Sequence, residues 1–129
     1  MSELIERALR TSTDTKAVLA EPGAIARIAE VYRTTFPGRT ALVVGDERTM
    51  SVAGDAVLQA LRAGGVDVAE PHVFPGAPEL YAKYENCELL RDAMSGQDVV
   101  AVAVGAGTLN DIVKRASGEL GRPYLVVAT

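Results

Sequence analysis

The segment that most restricts the fold is residues 99–104, Val-Val-Ala-Val-Ala-Val, which runs without a polar interruption into Gly105-Ala106-Gly107. Six apolar side chains in a row, with no alternation, describe a strand buried on both faces. Such strands belong to parallel sheets covered by helices on either side. The run is far too short to cross a bilayer, which takes about 20 apolar residues. Shorter apolar runs recur at residues 17–19, 41–44 and 124–128.

Between these runs the apolar residues fall at helical spacing. Ile25, Ile28, Ala29, Tyr32 and Phe36 form one stripe, stopped by Pro37-Gly38. Val57, Leu58 and Leu61 form another within residues 50–63, ended by Gly64-Gly65. Pro78 suits a first helical turn, followed by Leu80, Tyr84, Cys87, Leu90 and Met94. Leu109, Ile112, Val113, Ala116 and Leu120 give the last helix, ended by Gly121. A weaker opening helix is expected over residues 3–10. Residues 66–69 read as a strand with one wetter face, and the three prolines of residues 71–78 indicate loop or sheet edge. Strand and helix alternate, so the predicted class is α/β: an open parallel sheet of about five to six strands with helices on both faces, Rossmann-like.

Composition narrows the function classes. A chain of 129 residues suits one domain, the usual unit being about 100–200 residues. A net charge of −4 argues against a nucleic-acid surface, which needs clustered Lys and Arg. The lone cysteine, Cys87, precludes an internal disulfide, and the lone histidine, His72, argues against an ordinary His/Cys zinc site. The N-terminus, Met-Ser-Glu-Leu-Ile-Glu-Arg-Ala-Leu-Arg, lacks the apolar core of a signal peptide. A cytoplasmic protein without a membrane span is expected.

Ligands of open parallel sheets bind beyond the carboxyl ends of the strands. Two such ends are chemically suggestive. Gly105-Ala106-Gly107-Thr108-Leu109-Asn110-Asp111 follows a strand and opens a helix, where small residues expose backbone N–H groups to an anion. The same residues also fit a plain turn in which Thr108 caps the helix and Asp111 completes a capping box. Asp46, just past Val43-Val44-Gly45, could accept the hydroxyls of an adenosine ribose. Asp46 or Thr49 could equally cap the helix that follows, and spacing alone favours the cap. The acid here precedes the glycine turn, the reverse of the ordinary dinucleotide fingerprint. Lys114 and Arg115 read as a solvated face. Cys87 reads as core, and His72 as a surface or loop residue. Solvation accounts for Asp92 and Asp98.

Taken together, four segments carry a resemblance: Glu21-Pro22-Gly23-Ala24-Ile25, Ala41-Leu42-Val43-Val44-Gly45-Asp46-Glu47, residues 102–114 with Gly-Ala-Gly-Thr-Leu-Asn-Asp-Ile-Val-Lys, and Pro123-Tyr124-Leu125-Val126-Val127-Ala128-Thr129. They resemble the N-terminal half of sn-glycerol-1-phosphate dehydrogenases, in the wider group of glycerol dehydrogenases, iron-containing alcohol dehydrogenases and 3-dehydroquinate synthases. The resemblance covers nearly the whole chain. Glycerol dehydrogenases usually carry Lys where this chain has Thr108. The synthases differ after the glycines.

The resemblance implies that Gly105, Ala106, Gly107, Thr108, Leu109, Asn110 and Asp111 form the pyrophosphate and nicotinamide-side turn of bound NAD or NADP. Asp46 would meet the adenosine ribose, and Thr129 would open a Thr-x-x-Ser element touching the cofactor. Asp46 leans towards NAD by repelling a 2′-phosphate, and Arg48 could offset that. Ala106 stands where many relatives have Gly or Ser, and its methyl requires a negative φ. In such relatives a second, helical domain supplies an Asp and two His that hold a divalent metal, zinc, nickel or iron. His72 matches neither. The expectation is therefore a dinucleotide-binding domain over 1–129, an engineered fragment or truncated product not competent alone. Its parent would be a homo-oligomeric, NAD(P)- and metal-dependent dehydrogenase acting on a small polyol phosphate. Two alternatives remain: the cofactor domain of a glycerol dehydrogenase or 3-dehydroquinate synthase, and a stand-alone α/β regulatory or scaffold module. A phospho-receiver is the example of the last, although Ala20-Glu21 does not supply its acidic pair.

Overall fold

The computed structural model describes residues 15–19, 22–75 and 83–128, the first of these through residue 23 as backbone only. The expected helix over 3–10, Pro78, Leu80 and Thr129 lie outside the described residues.

Five strands form one sheet in the order β1-β5-β4-β2-β3: β1 (Thr15–Leu19), β2 (Thr40–Asp46), β3 (His72–Phe74), β4 (Val99–Gly105) and β5 (Tyr124–Ala128). Every pairing is parallel. All seven residues of β4 are buried, as an unbroken apolar run demands. Val44 is in register with Ala103, and Gly105 with Ala128.

Side-chain parity then divides the core in two. Ala41, Val43, Val100, Val102, Val104, Leu125 and Val127 face one helical layer. That layer holds α1 (Pro22–Ala26), α2 (Ile28–Thr35), α3 (Glu47–Thr49) and α4 (Asp55–Ala63). Leu42, Val44, Ala101, Ala103 and Val126 face the other, made of α5 (Tyr84–Ser95) and α6 (Gly107–Glu119). The expected α/β class, with parallel strands covered on both faces, is present, and the five strands lie at the lower end of the expected count. No helix among the described residues is long and apolar enough to cross a membrane.

Local departures have physical causes. The stripe from Ile25 to Phe36 is two helices, broken at Arg27, whose φ of −102° and ψ of 1° leave the helical region. The helix after β2 starts at Glu47, earlier than residue 50, because Asp46 and Thr49 close a capping box. A π-helical turn, Met50–Gly54, joins it to α4. Residues 66–69 make only one bridge, Ala41 to Val68. The strand forms instead at His72–Phe74, inside the proline-rich stretch, and ends the sheet as an edge. Tyr84 is 43% exposed rather than core. Its hydroxyl donates to Glu119 at 3.2 Å, and the Arg115 guanidinium lies 4.7 Å from the ring centroid. Asp98 is paired with Arg39 at 3.2 Å, and Asp92 with Arg91 at 3.4 Å.

His72 sits half-buried on that edge strand, edge-on to Phe74 at 4.8 Å between ring centroids. Burial holds its pKa below the ordinary 6.5. The unfolded chain therefore takes up this proton at higher pH than the native one, so stability falls as pH drops below about 6.5. Urea midpoints at pH 7.5 and 5.5 should show a drop that His72→Gln reduces. An equal drop in the variant would show that burial of His72 does not contribute.

Candidate functional site

The chain leaves β2 for β3 on one side and returns to form β4 on the other, so the strand order reverses between β2 and β4. Connections from neighbouring strands diverge there and open a crevice beyond their carboxyl ends. The two segments singled out by sequence, at Asp46 and at Gly105, are those strand ends.

On the β2 side, Asp46 is the N-cap of α3. Its Oδ1 accepts the Thr49 N–H at 2.8 Å, and its own N–H donates to Thr49 Oγ1 at 3.0 Å. The capping role expected for Asp46 is thus present, with Thr49 as its reciprocal partner. Only one carboxylate oxygen takes part, and Oδ2 has no partner among the described residues. Glu47 and Arg48 are exposed.

On the β4 side the outcome is the opposite. The N-cap of α6 is Ala106, with φ −108° and ψ −159°, and no side chain caps the helix. The capping box proposed for Thr108 and Asp111 does not form, because Thr108 is already inside the first turn. The intrahelical ladder starts with the Asn110 N–H donating to the Ala106 carbonyl at 3.0 Å. The N–H groups of Gly107, Thr108 and Leu109 precede it and carry the positive end of the helix dipole. No acidic residue occupies this first turn. The negative φ of Ala106 accommodates its methyl without strain.

Glycines bring the two ends together. A Cβ on Gly45 would lie 2.9 Å from Thr49 Oγ1, and one on Gly105 would lie 2.7 Å from Leu109 Cδ2 and 3.5 Å from Thr49 Cγ2. Leu109 is buried beneath the turn. Gly107 differs: a Cβ there would meet nothing within 4 Å, and its φ is not positive. Nothing in the described residues requires glycine at 107, so the bare backbone is available to a ligand. Asn110 is half-buried, with a buried Oδ1 lacking a partner, while Thr108, Asp111 and Lys114 are exposed. Thr129 lies outside the described residues. Cys87, on α5, is buried, and burial raises its thiol pKa, so it stays protonated. Among the described residues no group of three or more His, Cys, Asp or Glu could hold a metal ion. The open backbone at Gly107 thus suits a dinucleotide pyrophosphate, and these residues do not suit a metal.

A profile of iron-containing alcohol dehydrogenases matches residues 19–129. The chain belongs to the iron-containing alcohol dehydrogenase family. Within and around this family, it is 34% identical over 88 residues to glycerol-1-phosphate dehydrogenase (NAD(P)+) of Halalkalibacterium halodurans, covering 67% of this chain and 22% of that one. It is 29% identical over 123 residues to 3-dehydroquinate synthase of Rhizobium rhizogenes, covering 91% and 32%. The glycerol dehydrogenase of Schizosaccharomyces pombe has a similar fold, with a TM-score of 0.65 at 16% identity, over 89% of this chain and 27% of that one. The chain thus spans between a fifth and a third of the length of these relatives.

Sequence reasoning missed one member of the site. Thr49 stood out only as a possible cap, with no signal that its methyl would reach the glycine turn of β4.

Proposed function

We propose that the chain is the dinucleotide-binding module of an NAD(P)-dependent dehydrogenase interconverting sn-glycerol-1-phosphate and dihydroxyacetone phosphate. The observation that carries the reading is the meeting of an acidic strand end, at Asp46, with an uncapped glycine turn, at Gly105 to Asp111, where the strand order reverses. The N–H groups of Gly107, Thr108 and Leu109 hold the pyrophosphate, and the Thr108 hydroxyl adds a donor. Asp46 Oδ2 accepts ribose hydroxyls. Leu109 excludes water beneath the turn. The nicotinamide, when bound, supplies hydride transfer. Thr129 extends the cofactor contacts at the end of β5. The described residues orient the dinucleotide, and metal chemistry is not assigned to them. The 34% identity to a glycerol-1-phosphate dehydrogenase favours that substrate over the alternatives of glycerol or the dehydroquinate synthase reaction.

Calorimetric titration with NADH and NADPH tests the reading. The expected result is weak saturable binding, with a Kd of roughly 0.1–1 mM, worth about 4–5.5 kcal/mol. No heat of binding for either dinucleotide at millimolar concentration would overturn it.

A further inference from the structure

Asp46 has to perform two tasks if it meets a ribose. It must cap α3, and it must hold a carboxylate oxygen steady towards the ligand. The geometry divides these between its two oxygens. Oδ1 accepts the Thr49 N–H at 2.8 Å, and the Asp46 N–H donates to Thr49 Oγ1 at 3.0 Å, so Thr49 holds both the carboxylate and the backbone of Asp46. Oδ2 is left without a partner among the described residues.

Thr49 is itself held. It is β-branched, so its χ1 is restricted. Its hydroxyl lies 2.9 Å from where a Cβ on Gly45 would be, and its methyl 3.5 Å from where one on Gly105 would be. Both strand ends carry glycine, and Thr49 lies beside each, next to Met50 at Gly45 and next to Leu109 at Gly105.

We propose that Thr49 is a positioning residue that sets the preference for NAD over NADP: its N–H holds the Asp46 carboxylate, and its hydroxyl anchors the Asp46 backbone from which that carboxylate projects. This rests on the dinucleotide reading given above. A carboxylate held in one orientation presents one oxygen to a ribose diol and repels a 2′-phosphate at the same place. A carboxylate free to rotate loses part of the first interaction and relaxes away from the second. Thr49 therefore acts on the choice between the two cofactors and not on pyrophosphate binding, which belongs to the turn of β4.

The test is titration of NADH and NADPH into the wild-type chain, Thr49→Val and Thr49→Ser. Valine keeps the branched shape and deletes the hydroxyl, whereas serine keeps the hydroxyl and deletes the methyl. Wild type should bind NADH more tightly than NADPH. T49V should weaken NADH about threefold to tenfold, the effect of losing the neutral hydrogen bond that anchors the Asp46 backbone, and change NADPH less than about twofold. T49S should keep the wild-type ratio. Equal losses for both cofactors, an unchanged ratio in T49V, a collapsed ratio in T49S, or a wild type without preference would each overturn the proposal. Should T49V fail to fold, Thr49→Ala against T49S is read in the same way. Wild type binding neither dinucleotide would overturn the underlying reading instead, which keeps the two failures distinct.

Discussion

Replacing Gly107 with aspartate should abolish dinucleotide binding while leaving thermal stability unchanged or slightly raised. The added Cβ meets nothing within 4 Å, and the position does not require a positive φ. A carboxylate at the start of α6 also complements a first turn that holds no acid, which typically stabilises a helix by about 0.3–1 kcal/mol. The same charge would stand where the pyrophosphate approaches. Like charges about 4 Å apart near a protein surface repel by roughly 4 kcal/mol, so affinity should fall at least about a hundredfold. NADH titration alongside a melting curve reads both effects. Undiminished binding would move the anion away from this turn. Loss of binding together with loss of folding would remove the separation between site and scaffold that the open space at Gly107 implies.

Gly64→Ala should have the largest effect on stability of any single methyl addition in the first helical layer. Gly64 is the C-cap of α4, with an ordinary φ of −86°. Its requirement for glycine is one of space: an added Cβ would fall on the Cβ of Ala29 and lie 3.3 Å from the Ala60 carbonyl oxygen. Ala29 is buried on α2 and has no flexible end that could swing aside. The helices would have to separate. Overpacking of this kind costs about 1–3 kcal/mol. Each kcal/mol corresponds to a few degrees of Tm in a domain of this size. Ala29→Gly in the G64A background removes the opposing methyl and should recover part of the loss. Denaturant titrations of the wild type, both single variants and the double variant should give a coupling energy above about 0.5 kcal/mol. Additive single effects would show that the two residues do not meet.

The strands were legible because burial on two faces leaves unbroken apolar runs, as at 41–44, 99–104 and 124–128. The exception, β3, has three residues between Pro71 and Pro75 and too little length to carry a pattern. The break at Arg27 was hidden because α1 and α2 bury residues on the same stripe. The cap at Asp46 was legible from local spacing, while the alternative cap at Thr108 was an equally good pattern that the backbone does not use. What local spacing cannot carry is the strand order. The adjacency of β2 and β4 depends on contacts remote in sequence, and only that adjacency brings Thr49 against Gly105.

The two halves of the crevice depart to opposite sides of the sheet. The Asp46 turn feeds the π-helical turn Met50–Gly54 and α4, packed in one hydrophobic cluster, and the Gly105 turn feeds α6, packed in the other. Each half thus has its own foundation, and repacking one cluster need not disturb the other. Such a scaffold can drift in its affinity for the sugar end of a ligand while its affinity for the phosphate end stays constant. Beyond the pairing of β2 with β4, Thr49 lies against the glycines of both strands and links the two ends.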